Sequence, residues 1–179
     1  MDKRRTQPRG KQSSFFHSYQ CVYTRTTGIW QTVWLEAVDK KHIKSVSIVP
    51  NLKSSCFEFT PDFSENLNDN FKVDITFKNK KISSSIFNTK VKKIKIKIPK
   101  PKLWSIEQPN LYDFVFTLIS EKNNKTLDRV KSYGGMRSIE VKKNKVYLNN
   151  KPLYQRLVLD QGFYPDGIWT APTLSLIHI

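Results

Sequence analysis

The feature that most constrains this chain is strict period-two alternation. In FKVDITF, Phe71, Val73, Ile75 and Phe77 fall on one side and Lys72, Asp74 and Thr76 on the other. KIKIKI sets Ile94, Ile96 and Ile98 against Lys93, Lys95 and Lys97, and YDFVFTLI gathers Tyr112, Phe114, Phe116 and Leu118. IKSVSIV, from Ile43 to Val49, places Ile43, Val46 and Ile48 among polar neighbours. Successive side chains of a strand point to opposite faces, so this spacing specifies strands with one buried face. No segment carries a sustained helical period. TPDFSENLNDN, KNKK, PKPKLWSIEQPN and EKNNK separate the runs and are rich in turn formers. Short antiparallel strands at this spacing predict a β-sandwich from Ile43 to about Arg137.

Charge is the next constraint. The chain has 31 Lys and Arg against 15 Asp and Glu, a net charge of +16. Such a balance suits an anionic partner, or simply lysine filling solvent positions, and speaks to association more than to fold. Its densest part is Lys90–Lys102, and no acid lies between Asp74 and Glu107. As structure, these lysines are the solvent face of a strand, where edge lysines oppose sheet-to-sheet aggregation. As function, they track an anionic polymer. Aromatics are not interleaved with them, as stacking on single-stranded nucleic acid requires, so no nucleic-acid partner is expected. Cys21 and Cys56 come with no CxxC pair and no His cluster. Two free thiols are therefore expected, with no metal and no cofactor. No apolar run has the length of a bilayer span, and MDKRRTQPRG has no apolar stretch behind it. No membrane partner is expected, and the compartment stays open, a cytoplasmic location being slightly favoured and the true N-terminus expected upstream.

The two ends differ in texture from the middle. YTRTTGIWQTVWLEAV, Tyr23 to Val38, alternates like a strand. Trp30, Thr32 and Trp34 fall on one face and Gln31, Val33 and Leu35 on the other, so both faces carry apolar bulk, which suits inter-domain packing. After Arg137, IEV, a turn at KKNK and VYL predict a hairpin. A second turn at NNKP leads into LYQRLVL, read as a strand entering a larger sheet.

Three stretches together resemble one family. RGKQ followed by YTRTTGIWQTVWLE resembles the last strands of the sugar-binding jelly roll of glycoside hydrolase family 2. LWSIEQPNLY resembles the motif late in that family's immunoglobulin-like domain. YGGMRSIEVKKNKVYLNNKPLYQRLVLDQGFYPDG resembles the start of its catalytic (β/α)8 barrel, as in bacterial β-galactosidases. The resemblance runs from Arg9 to Thr173 and implies a mainly β chain. Residues 1–36 would be a jelly-roll remnant, 37–136 an immunoglobulin-like sandwich and 137–173 the beginning of the barrel. LSLIHI, residues 174–179, resembles the in-frame translation of a transposase adapter and is read as a non-native tail.

The family resemblance implies retaining hydrolysis of β-glycosidic O-glycosyl bonds in a carbohydrate substrate. That chemistry needs two carboxylates about 5–5.5 Å apart, one acid/base and one nucleophile. In the family both are glutamates on later barrel strands. Past Glu140 the only acidic residues here are Asp160 and Asp166. No catalytic residue is therefore carried over, and the chain itself is expected to be inactive. Asp160 and Gln161 are the candidate substrate-binding residues, just past a barrel strand, where such folds place their sites. Many members read Asn-Arg-His-Glu there, whereas this chain reads Leu159-Asp160-Gln161-Gly162. The pair offers planar hydrogen-bonding ends to sugar hydroxyls. It reads equally as a turn, since Asp and Gly are turn formers. Trp169 stacks on a sugar or packs. The competing function class is a basic sandwich module that binds an anionic polymer without catalysis, which leaves the three motifs unexplained.

Overall fold

The computed structural model describes residues 11–24, 28–29, 31–159, 164, 171 and 173. The chain divides into two units, Ala37–Arg156 and a second made of Met1–Glu36 with Leu157–Ile179. Among the described residues every regular element is a strand.

Ten strands lie in Ala37–Arg156. They are β1 (Ile43–Asn51), β2 (Cys56–Phe63), β3 (Asn70–Phe77), β4 (Lys80–Asn88), β5 (Ile94–Lys97), β6 (Tyr112–Ile119), β7 (Thr126–Gly134), β8 (Ile139–Lys142), β9 (Lys145–Leu148) and β10 (Lys151–Leu153). The first seven make two antiparallel sheets, β1-β2-β5 and β4-β3-β6-β7. The pairings β2 with β5 and β3 with β6 join strands distant in sequence, which gives the sandwich its Greek-key crossovers.

The alternation read from the sequence is the alternation that is buried. Phe71, Val73 and Ile75 of β3, Ile94 and Ile96 of β5, Ile98 just beyond it, and Tyr112, Phe114, Phe116 and Leu118 of β6 are all in the core. The two sheets meet through aromatic rings. Phe57 of β2 lies edge-on to Phe114 of β6 at 5.0 Å between centroids, Phe59 edge-on to Phe114 at 5.3 Å and to Phe116 at 5.6 Å. Edge-to-face geometry is the favoured arrangement for such pairs, and each fully buried ring contributes roughly 2–3 kcal/mol from burial. The sheets are also tied at one side, where the Ile43 N–H of β1 donates to Asp128 Oδ2 of β7 at 2.8 Å.

Three hairpins close through two-residue turns with both residues in the left-handed region: Lys78-Asn79, Lys143-Asn144 and Asn149-Asn150. Turns of this hand match the twist of the flanking strands, and Asn tolerates positive φ better than most residues. KNKK, KKNK and NNKP are thus turns, as their composition predicts. β8, β9 and β10 form a small separate sheet in the order β10-β9-β8.

Two strand readings are corrected. Of LYQRLVL only Leu153 is in a strand; Tyr154 to Leu159 form no ladder, and Tyr154, Leu157, Val158 and Leu159 are exposed. Residues 31–42 likewise contain no strand, and Val33, Trp34 and Leu35 are exposed. An alternating pattern becomes a strand only where a neighbour offers its backbone N–H and C=O groups, and neither stretch has such a neighbour among the described residues. Trp30 lies outside the described residues.

In the second unit, residues 11–24 fold back on themselves through isolated bridges. Gln12 and Tyr23 make an isolated parallel bridge, Ser13 N–H donates to the Tyr23 carbonyl at 2.6 Å, and Phe15 stacks on His17. Cys21 is exposed and Cys56 buried, and both are free thiols.

Candidate functional site

Asp160 and Gln161 lie outside the described residues, as do Asp166 and Trp169. The chemistry of the described part therefore rests on its other carboxylates, and each buried one is already engaged. Glu58 points away from the core on β2 yet is covered. Its carboxylate accepts from Lys93 Nζ, from Asn51 Nδ2 at 3.2 Å and from Lys95 Nζ at 3.4 Å. Hydrogen bonding to Lys93 and then to Asn51 holds its carboxyl down at about 2. Asp69 pairs with Lys41 Nζ at 3.0 Å and accepts the Glu121 N–H at 3.2 Å. Glu140 is lowered by its hydrogen bond with Lys142. A glycosidic general acid must hold its proton near neutral pH, which requires a raised carboxyl. Glu58 and Glu140 are shifted the opposite way.

Among the described residues no group of three or more His, Cys, Asp and Glu is placed to hold a metal ion. No helix among them is long and apolar enough to cross a membrane. A recess of ≈ 550 Å³ near the end of β2 is lined by Asp62, Glu65, Asn68, Lys90 and Lys92 among others. Its carboxylates and lysines are interspersed, which describes a polar surface groove more than a catalytic cleft.

The most organised feature outside the core joins LWSIEQPNLY to YGGMRS. Leu103 bridges Met136 in parallel, and Trp104 N–H donates to the Met136 carbonyl at 3.0 Å. The Arg137 guanidinium lies 4.4 Å from the Trp104 ring centroid, a cation–π contact. Asn149 Nδ2 donates to the Trp104 carbonyl at 2.9 Å, while Asn149 Oδ1 accepts the Ser138 N–H at 3.1 Å. One side chain thus pins the β9–β10 turn to the sandwich. The loop is braced internally: Asn110 Nδ2 donates to the Leu103 carbonyl, and Gln108 N–H to Ser105 Oγ. Gly135 lies so close to Trp104 that a Cβ would sit 3.0 Å from the Trp104 Cβ. The two motifs meet here because one supplies the indole and the other supplies glycine, cation and turn.

The profile of glycosyl hydrolases family 2 matches residues 39–137, the whole seven-strand sandwich. The chain belongs to glycosyl hydrolase family 2. A putative β-glucuronidase of Formosa agariphila is 34% identical over 139 residues, 72% of this chain and 17% of that protein. A β-galactosidase of Thermoanaerobacter pseudethanolicus is 30% identical over 141 residues, 72% of this chain and 19% of that protein. The β-glucuronidase of Ruminococcus gnavus solved with D-glucuronic acid shares the fold at a TM-score of 0.56 and 17% identity, over 66% of this chain and 20% of that one. The family 2 chain therefore spans less than a fifth of the length of these two curated relatives.

The sandwich and the lineage were both legible in the sequence. The Trp104–Arg137–Asn149 junction was not. Its components fall in separate sequence motifs, and only the meeting of LWS with GGMR in space makes them one feature.

Proposed function

We propose that this chain is part of a retaining β-glycosidase that hydrolyses O-glycosyl bonds of a β-galactoside or β-glucuronide. In this reading residues 37–136 are its immunoglobulin-like module, 1–36 the end of a sugar-binding jelly roll, 137–173 the beginning of the catalytic barrel and 174–179 a non-native tail. The single observation that carries it is the family match over residues 39–137. The names of the relatives support both substrate classes. The catalytic glutamates are assigned to chain beyond these 179 residues, because only Asp160 and Asp166 are acidic past Glu140. Asp160 and Gln161 are assigned to sugar hydroxyls, as planar hydrogen-bonding groups following the last hairpin.

The experiment is to read the genomic sequence on both sides of this frame and express the longer product. Upstream jelly-roll strands, two downstream barrel glutamates and hydrolysis of nitrophenyl β-galactoside or β-glucuronide with retention are expected. Flanks that encode neither domain would overturn the proposal.

A further inference from the structure

Three lysines from two separate elements converge on one concavity. Lys53 stands in the turn between β1 and β2, while Lys95 and Lys97 occupy the outward positions of β5. With Ser54, Ser55 and Cys56 they line a recess of ≈ 520 Å³. No carboxylate lines it. Glu58, opposite Lys95 in the β2–β5 register, is already taken by Lys93, Lys95 and Asn51. Lys53 lies in the field of Glu140. Among the described residues no carboxylate is within ion-pair range of Lys97.

The recess is also held in shape. Asn51 Oδ1 accepts the Ser54 N–H at 3.2 Å, and the same side chain donates to Glu58 at 3.2 Å. The turn carrying Lys53 is thereby tied to the carboxylate that holds Lys95. The Ser55 carbonyl accepts the Ile98 N–H at 2.8 Å and fixes the far end of β5 against the turn. β5 is the outer strand of its sheet, and protection of an edge accounts for Lys95 and Lys97. It does not account for Lys53, which is on no edge strand and faces the same recess.

The three lysines are offset only in part, Lys95 by Glu58 and Lys53 by Glu140, and Lys97 by no carboxylate in ion-pair range among the described residues, so the concavity keeps a net positive potential that an anion relieves. We propose that this recess binds the carboxylate or sulfate groups of an acidic polysaccharide. Lysine ammonium groups supply three donors each without imposing a planar geometry, which suits either oxyanion. The Ser54 hydroxyl is engaged with Cys56 Sγ at 3.1 Å, and Ser55 in the same lining offers a hydroxyl to neighbouring sugar hydroxyls. A nucleic acid is disfavoured because the lining contains no aromatic residue on which a base would stack. The site is independent of Asp160, Gln161 and any catalytic step.

The test is calorimetric titration of the 179-residue chain at about 0.15 M salt, where long-range fields are screened. The probes are dextran sulfate, polygalacturonate, neutral dextran and single-stranded DNA. One variant carries Lys53→Gln with Lys97→Gln. A second carries Lys122→Gln with Lys125→Gln, exposed lysines of the β6–β7 turn, so that net charge is matched. Binding of at least one acidic polysaccharide, none of neutral dextran, and a loss of about fivefold or more only in the first variant are expected. Binding of dextran sulfate alone assigns the group as sulfate, and of polygalacturonate alone as carboxylate. Equal weakening in both variants, tighter binding of DNA, or no binding of either polysaccharide would overturn the proposal.

Discussion

The hydroxyl of Tyr112, the first residue of β6, accepts the backbone N–H of Lys102 at 2.7 Å. The ring is buried against Phe57 at 5.4 Å and Phe77 at 5.0 Å, so one side chain both fills the core and ties down the long β5–β6 connection ten positions upstream. The arrangement resembles the tyrosine corner of immunoglobulin-like sandwiches, at the start of the corresponding strand, with a longer span of ten residues. Tyr112→Phe keeps the ring and leaves a part-buried N–H unpaired. It should cost about 1–2 kcal/mol. Urea unfolding should show a lower midpoint with an unchanged slope. An unmoved midpoint would mean that the corner contributes nothing to stability.

Gly135→Ala tests the junction directly. The new methyl would lie 3.0 Å from Trp104 Cβ and 3.2 Å from its Cγ, atoms close to the backbone that cannot swing aside. Overpacking of this kind should cost about 1–3 kcal/mol. The cation–π contact with Arg137 should be displaced, so the tryptophan emission of the folded protein should change along with the unfolding midpoint.

Asn149→Ala removes the side chain that connects Ser138 and Trp104, at a residue whose φ is 51°. Both the lost hydrogen bonds and the left-handed backbone disfavour alanine, and a loss of about 2 kcal/mol is expected. Asn149→Asp keeps the bond from Ser138 N–H but loses donation to the Trp104 carbonyl, so it should fall between. Equal stability of all three proteins would show that the turn is not anchored through this side chain.

Glu58 gives the fold an acid-sensitive element. Its carboxyl is lowered from 4.5 to about 2 by Lys93, Asn51 and Lys95. A depressed folded-state value means that the unfolded chain takes up the proton first as pH falls. The stabilisation is therefore complete above about 4.5 and is lost progressively as pH drops toward about 2. Glu58→Gln should be less stable at neutral pH, and the gap from the native protein should narrow over that window. Parallel pH profiles for the two proteins would contradict the assignment.

The strands legible in the sequence are those where outward positions are polar and inward positions apolar, as in β3, β5 and β6. β2 was missed although Phe57, Phe59 and Phe63 alternate with Glu58, Thr60 and Asp62, because Pro61 and Asp62 within TPDF carry turn chemistry yet lie in the strand. β4 was missed because Ser83, Ser84 and Ser85 erase the apolar stripe; it forms because β3 offers it a full ladder. β7 was missed because its core-side positions, Asp128, Val130, Ser132 and Gly134, carry a single bulky apolar side chain and make no stripe. Tyr154–Leu159 shows the reverse case, a strand-like pattern without a ladder. The junction was illegible for a further reason: Trp104, Arg137 and Asn149 are each unremarkable in sequence, and their relation exists only once β6 and β7 have brought residue 136 beside residue 103.

We propose that these 179 residues of a family 2 protein supply a fold and not the carboxylate pair of catalysis. Hydrolysis of nitrophenyl β-galactoside and β-glucuronide by the purified 179-residue chain tests it most directly. No release of nitrophenol above the buffer blank is predicted, because a glycosidic acid and nucleophile must face each other about 5–5.5 Å apart with one of them held protonated. Turnover that disappears in the Asp160→Asn, Asp166→Asn double variant would contradict the claim and make this chain an enzyme in its own right.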